Sequence, residues 1–511
     1  MTRHRRRARI DADRFGHMRE RERFLYEDPY GENTEQWPEE APAGHNTNTS
    51  LSQYLLAAAC TLLLTGTVIF GALYYGERTA DKTLASANSE PTIGAALAPA
   101  QSASDCIDDG CSDDIEIARV AWRYFENNYQ PETGLVNSVD GVETTTLWDT
   151  GSSLAAFIAA RDFGFITQHD FDHSIMALLQ TLTGIDLVNG VAPNILYNTR
   201  SARMVDYNNE VDNSGIGVST IDLARSAFWL NTLQCMHPKY YNPVNRVMDR
   251  WASDELFRNG KLYGLARDAQ DDDRISPIQQ GRFGFEQYAG RIFHALGHPT
   301  QIAASYDNPN RSNTEILGVM IAHDRRDPRN TGVNNFVLTD SYTLDAMELG
   351  VRVDNRDILQ SIFDVQKARW RETGIATALT DGHINEPPHY LYNTIFDAGL
   401  PFTTTTDTGL RNDKLRTIST RAAFMLATLF PDDLYSDVLL AAIESAYDPE
   451  KGWFSGVFEN GGFNDVTTAN TNGIILQTML YRKYGVLSTQ CRSHWGPAEP
   501  SAALPIVTST H

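Results

Sequence analysis

At 511 residues the chain is long enough for about three domains of roughly 150 residues, or for one large toroid or barrel. Its 36 Gly and 21 Pro are ordinary for a globular protein, which excludes collagen-like and wholly disordered readings, and 41% hydrophobic content can bury a large core. The 43 basic and 65 acidic residues leave a net charge of −22, which opposes a broad electrostatic grip on phosphate backbones and excludes nucleic acid as a partner.

In chain order, residues 1–50 form an expected disordered tail. Its nine Arg all lie between Arg3 and Arg23, and acidic, Pro/Asn-rich sequence follows. Tyr54 to Tyr75 is a run of 22 residues without a charge; as a helix it covers about 33 Å, enough for a bilayer core. Tyr54, Tyr74 and Tyr75 at its ends suit the interface. Ala85-Ser86-Ala87 lies about ten residues too far on for signal-peptide cleavage. The expectation is therefore an uncleaved, single-pass anchor in the inner (cell) membrane, with a cytoplasmic N-terminus and a periplasmic or extracellular C-terminal domain. Its second partner is then the lipid bilayer.

Residues 77–104, rich in Ala, Ser and Thr, read as a linker, 105–495 as the ordered domain and 496–511 as a disordered tail. Cys60 falls in the span, leaving Cys106, Cys111, Cys235 and Cys491. Four cysteines outside the cytoplasm allow three pairings or none. Position along the chain favours Cys106–Cys111 with Cys235–Cys491.

Apolar residues at i, i+3, i+4 spacing predict helices at Ile115–Tyr129, Leu147–Phe163, Phe171–Leu182, Thr220–Leu233, Val244–Leu256, Gln287–Leu296, Ser341–Leu349, Arg356–Trp370, Ser419–Leu429, Tyr435–Ala446 and Ala469–Tyr484. Asp170 and Asp432 are candidate caps. Paired helices with few strand segments, and no repeat of 34 to 45 residues to suggest a solenoid, predict an all-α chain: an (α/α)6 toroid preceded by one transmembrane helix.

The loops between these helices mix Trp, Tyr and Phe with Asp, Glu and Asn, as in PETGLVNSVDGVETTTLWDTGS (131–152), GRFGFEQYAG (281–290), VLTDSYTLDAMELG (337–350), DGHINEPPHYLYNTIFDAGLPF (381–402) and KGWFSGVFENGGFNDVTTANTNG (451–473). Aromatic faces against sugar rings and planar polar groups against hydroxyls bind carbohydrate in this way. Trp148, Tyr197, Tyr288, Tyr390 and Trp453 are candidates for stacking, and Asn137, Arg200, Gln287 and Asn472 for hydroxyl binding, each with packing in the core as its competing role.

These runs, with AWRYFENNYQ, YNTRSARMVDY, STIDLARSAFWL and STRAAF, resemble the bacterial envelope family catalogued as domain of unknown function 3131, often labelled glucoamylase-like, over residues 113–485. That resemblance implies kinship with (α/α)6 glycoside hydrolases, including glucoamylase-like domains of β-1,2-glucan metabolism, and so a carbohydrate substrate and an inverting reaction.

Glycoside hydrolysis needs a carboxylic acid to protonate the leaving oxygen and a carboxylate to activate water. Glu286, flanked by Phe283, Phe285 and Tyr288, is the candidate acid, because apolar walls raise a carboxyl pKa. Asp149 and Asp340, at loop-to-helix junctions, are candidates for the second carboxylate and also for helix caps. Glu143, Glu348, Glu386, Asp397 and Glu459 stand in reserve.

No cofactor or metal is implied. Pro387 and Pro388 break the helical spacing of His383, Glu386 and His389, and Asp271-Asp272-Asp273 reads as a solvated loop. Nucleotide, zincin and α/β-hydrolase motifs are missing. The expected function is a membrane-anchored glycoside hydrolase acting on an oligo- or polysaccharide of the envelope or exterior. The alternatives are a non-catalytic glycan-binding or assembly subunit of an exopolysaccharide system and a polysaccharide lyase.

Overall fold

The computed structural model describes residues 109–491 and Trp495, except 252–253, 268–273 and 332. The Tyr54–Tyr75 run, the two tails, the linker, the Cys106–Cys111 pairing and Asp271–Asp273 lie outside the described residues. Among the described residues no helix is long and apolar enough to cross a membrane.

Eleven helices longer than two turns follow in order. They are α1 (Asp109–Asn128), α2 (Leu147–Asp162), α3 (Gln168–Gly184), α4 (Thr220–Met236), α5 (Tyr241–Trp251), α6 (Phe285–Ala295), α7 (Thr339–Glu348), α8 (Val353–Thr373), α9 (Thr420–Leu429), α10 (Leu434–Ile443) and α11 (Ala469–Tyr484). Each overlaps one of the helices expected from apolar spacing. Two caps differ from expectation. Thr167, three residues before Asp170, caps α3, and Asp433 rather than Asp432 caps α10.

Six of these helices are buried on nearly every side and pack in a closed ring: α2 on α4, α4 on α6, α6 on α7, α7 on α9, α9 on α11, and α11 back on α2. The others are amphipathic and lie outside. α3 buries only Phe171, Ser174, Ile175, Leu178, Leu179 and Leu182, the stripe of a surface helix. This is an (α/α)6 barrel with one departure among the described residues. After α6 the chain forms a β-hairpin, Arg311–Ile316 with Val319–Asp324, that packs against α8 in place of an outer helix.

The expectation of few strands is corrected. The segments that enter the inner helices pair with one another around one mouth of the barrel. Thr144–Thr146, before α2, pairs with Leu196–Asn198, before α4. Gly217–Val218 pairs with Lys261–Arg267, before α6. Val337, before α7, bridges Phe396, before α9. Thr417–Ser419 pairs with Gly452–Phe458, before α11, and Thr468 bridges Val139, before α2. Between the segments entering α6 and α7 the link is made by side chains, with Asp324 accepting from the Phe283 amide and Arg326 reaching Gln279 and Glu286. The result is a closed collar.

Ser or Thr ends the entry segment of four inner helices and caps each, Thr146, Ser219, Ser419 and Thr468 accepting from Asp149, Asp222, Ala422 and Thr471 amides. Such caps satisfy donors that the first turn leaves unpaired. Of the expected disulfides, Cys235–Cys491 is formed, with a Cα–Cα distance of 5.7 Å, and joins the end of α4 to the turn after α11.

The tightest helix contact is between α2 and α11. A Cβ on Gly473 would lie 2.6 Å from the Ser152 carbonyl oxygen. Gly473→Ala should therefore destabilise the fold by about 1–3 kcal/mol through overpacking, although alanine is the better helix former. Guanidinium denaturation would show it as a lowered midpoint; an unchanged or raised midpoint contradicts the packing described.

Candidate functional site

The collar and caps set a polar residue in the first turn of every inner helix: Asp149 in α2, Asp222 in α4, Glu286 in α6, Asp340 in α7, Arg421 in α9 and Asn470 in α11. Helix N-termini favour carboxylates. The four acids nevertheless differ in environment.

Asp222 lies deep among protein atoms yet is still touched by solvent. Burial pushes its carboxyl up to about 7, and the charges of Asp149 and Asp381 push the same way against one hydrogen bond from Ser219. It is the acid that stays protonated near neutrality.

Asp149 faces it. The Ser138 and Thr146 hydroxyls both donate to its Oδ2, and among the described residues nothing donates to Oδ1. Burial raises this carboxyl too, opposed by the two hydroxyls and by the positive charges of Arg225 and Arg421. Asp381, on the strand Asp381–His383, accepts from Tyr390 Oη at 2.5 Å and from Arg421 Nη2 at 3.1 Å. Arg421 is held in turn by Asp340, its Nε donating to Oδ2 at 2.7 Å.

Two catalytic expectations are corrected. Glu286 is 2% exposed, with Oε1 accepting from Gln279 at 3.1 Å and Oε2 from Arg326 at 2.9 Å. Burial does lift its carboxyl, as its apolar neighbours suggest, but both oxygens are engaged by protein donors in closing the collar. Asp340 is 1% exposed and spends its reachable oxygen on Arg421. It is thereby an ion-pair partner that holds the guanidinium in place.

Of the expected sugar contacts, Trp148 and Tyr390 are partly exposed at the mouth. Trp148 is fixed by Asn470, which accepts from its Nε1 at 2.8 Å, and by Phe285 and Tyr288 edge-on. The other placements are corrected, all but Arg200 by burial. Tyr197 donates to the Asp186 carbonyl in the core, Tyr288 donates to Glu348, and Trp453 donates to the Ile117 carbonyl on α1. Gln287 accepts from the Gly284 amide, Asn472 is tied to the Trp453 backbone, and Asn137 to Thr199. Arg200 is a surface partner of Glu143.

The reserve carboxylates are scattered. Glu348 is buried against Arg225, Glu459 pairs with Arg369 and Arg416, Glu386 is exposed, and Asp397 stands apart beside Asp327. Burial lowers His383 to about 4, leaving it neutral. Among the described residues no cluster of three or more His, Cys, Asp or Glu is placed to hold a metal ion.

Asp222, Asp381 and Arg421 escape a reading by aromatic flanks. Asp222 has a usable signal, since Ser219-x-x-Asp222 repeats the spacing of Thr146-x-x-Asp149.

A closed ring of helices with an acidic mouth defines the chain as an (α/α)6 barrel protein built around a solvent-reached carboxyl cluster. It belongs to the family described as Protein of unknown function (DUF3131), whose profile matches residues 116–485. Among solved structures the fold is similar to that of a Bacteroides caccae protein provisionally described as a glucoamylase, with TM-score 0.56, 14% identity, and coverage of 75% of this chain and 96% of that one. It is also similar to the endo-β-1,2-glucanase of Chitinophaga pinensis in complex with sophorotriose and glucose, with TM-score 0.53, 13% identity, and coverage of 75% and 95%. No curated protein matches the sequence significantly.

The Asp222 environment has a measurable consequence. Unfolded, the carboxyl loses its proton near the ordinary 3.8; folded, it keeps it to about 7. The folded state binds more protons across this window, so this group's contribution to stability falls as pH rises from about 4 to about 7. Asp222→Asn removes that loss. Its melting temperature should exceed that of the wild type above pH 7, with the gain shrinking toward pH 4; a gain independent of pH contradicts the assignment.

Proposed function

We propose that the chain is a glycoside hydrolase acting on a neutral glucan, with Asp222 as the proton donor and Asp149 as the general base. The observation that carries this reading is the pairing of a carboxyl held protonated to about pH 7 with a second carboxyl whose Oδ1 receives no donor among the described residues, both in the first turns of inner helices. Environments that push two acids apart separate the acid role from the base role. The fold supports the class by its likeness to proteins named for glucan hydrolysis.

Asp222 protonates the glycosidic oxygen as the bond breaks, and Asp149 takes the proton of the water that attacks the anomeric carbon. The reaction inverts the anomeric configuration. Asp381, fixed by Arg421 and Tyr390, orients ring hydroxyls beside Trp148. With Asp222 protonated, the carboxylates of Asp149, Asp340 and Asp381 still outnumber the Arg421 guanidinium, which disfavours uronates and other anionic sugars and favours an uncharged polymer.

Full-length protein should release reducing sugar from one of the linear β-1,2-, β-1,3-, β-1,4- or α-1,4-glucans. On that glucan Asp222→Asn should lower kcat by roughly 10²- to 10⁴-fold with little change in oligosaccharide binding. The alkaline limb of the wild-type kcat/KM profile should fall near the Asp222 value of about 7. An Asp222→Asn variant as fast as wild type would reject the assignment.

The envelope location belongs to the same proposal. The charge-free Tyr54–Tyr75 run behind an Arg-rich tip supports an anchor that leaves the barrel outside the cytoplasm. A periplasm-dependent reporter fused after His511 should be active, and activity of a cytoplasm-dependent reporter alone contradicts this topology.

A further inference from the structure

The strand Asp381–His383 carries a glycine that the fold does not require. Gly382 pairs with Leu391 in regular register, between Asp381 on Tyr392 and His383 on Tyr390, so it marks no bulge. Its φ lies outside the left-handed region. In other strands the need for glycine is plain, since a Cβ on Gly264 or Gly456 would lie 2.3 Å from the Gln280 side chain or the Ile418 carbonyl oxygen. A Cβ on Gly382 would meet one atom within 4 Å beyond its chain neighbours, Arg421 Nη1 at 3.6 Å, and that is an ordinary contact. Glycine weakens a strand interior, and where neither a bend nor a second backbone explains it, the remaining reason is the close approach of a ligand.

What this glycine leaves uncovered is the unused end of a buried guanidinium. Arg421 is 3% exposed and stands in the first turn of α9, as Asp149 and Asp222 stand in theirs. Its Nε donates to Asp340 at 2.7 Å, and its Nη2 donates to the Asp381 carbonyl at 2.6 Å and to Asp381 Oδ1 at 3.1 Å. Nη1 meets no acceptor among the described residues. Gly382 is partly exposed, so solvent reaches the strand at this point. Asp381 beside it is partly exposed too, with its Oδ2 fixed by Tyr390 at 2.5 Å. A fixed donor and a fixed acceptor thus stand side by side, the pattern that two neighbouring hydroxyls of a sugar ring complement. The two carboxylates already balance the guanidinium, so the open donor suits a neutral oxygen better than an anion.

We propose that Arg421 binds the glucan directly, Nη1 donating to one hydroxyl while Asp381 accepts from the next, and that Gly382 is the residue that keeps this donor open. The inference rests on the hydrolase reading and adds to it, because Arg421 becomes a binding group as well as the support of Asp381.

The test puts a side chain over Nη1 and leaves the ion pairs in place. Gly382→Ala and Gly382→Val are made in full-length wild type for kinetics and in full-length Asp222→Asn protein for titration calorimetry with sophorose, laminaribiose, cellobiose and maltose. For whichever disaccharide binds, valine should weaken affinity about 10- to 100-fold, the worth of one hydrogen bond to a charged donor, and alanine should weaken it less. On the glucan that wild type cleaves, KM should rise by the same order. Melting temperatures should hold or increase, since glycine is the costlier residue in a strand. If the valine variant does not fold, the alanine variant decides. Arg421→Lys removes Nη1 but keeps a charge for Asp340, and in that background the valine should cost little more, because the contact it covers is already gone.

Unchanged KM and affinity in both Gly382 variants, or losses from Gly382→Val and Arg421→Lys that simply add, overturn the role of Nη1 and leave the hydrolase reading intact. Failure of wild type to cleave any of the four linear glucans, together with failure of Asp222→Asn protein to bind any of the four disaccharides, overturns both.

Discussion

At the centre of the barrel a buried charge pair holds the inner ring in register. Arg225 and Glu348 are both without solvent exposure, their Nη1 and Oε1 2.9 Å apart. Two charges in such a place cost several kcal/mol of lost hydration, and the pair is tolerable only because its remaining polar atoms are satisfied. Arg225 Nε donates to Ser152 and Nη2 to Gln477, while Tyr288 donates to the second oxygen of Glu348. The five residues come from α4, α7, α2, α11 and α6, so one guanidinium and one carboxylate tie five of the six inner helices. Sliding any of them by a turn would strand a charge, and removal of one partner of such a pair costs about 3–5 kcal/mol.

That register is what assembles the mouth. Ser152 and Arg225 lie one helical turn below Asp149 and Asp222, and the Arg225 guanidinium sits 5.0 Å from the Trp148 ring centre. The same residue that locks the helices therefore also backs Trp148. Around the rim, the collar of paired entry segments keeps the caps in place, and the Glu286–Arg326–Asp324 cluster closes its one gap without backbone pairing. With the first turns level, Asp149 and Asp381 come near Asp222, and repulsion between carboxylates adds to burial in holding a proton on it. Packing thus sets the chemistry.

Much of the barrel was legible in the sequence because its helices are long and periodic. The collar was not. Its strands run from two to seven residues, too short to show alternation, and several pair with segments far along the chain, as Val139 does with Thr468. The site was legible in kind more than in detail. Carboxylates do stand at the loop-to-helix junctions, and burial does raise Glu286. No local signal announces that Arg326, forty residues later, occupies it. Tyr197 and Trp453 show the same limit, since an aromatic in a polar loop looks alike whether it faces a sugar or a neighbouring helix. Asp222 was readable only by comparing two capping motifs, and Asp381 depends on a strand that folds back over α9.

The central claim is that the fold, rather than a substrate, keeps Asp222 protonated near neutral pH. Carbon-13 NMR of the side-chain carboxyls, with the Asp222 signal assigned by its loss in Asp222→Asn, measures this in the unliganded protein. The account predicts a titration near the value of about 7, moving down when Asp381 is replaced by Asn. A titration near 4, the ordinary value for an exposed aspartate, would contradict it.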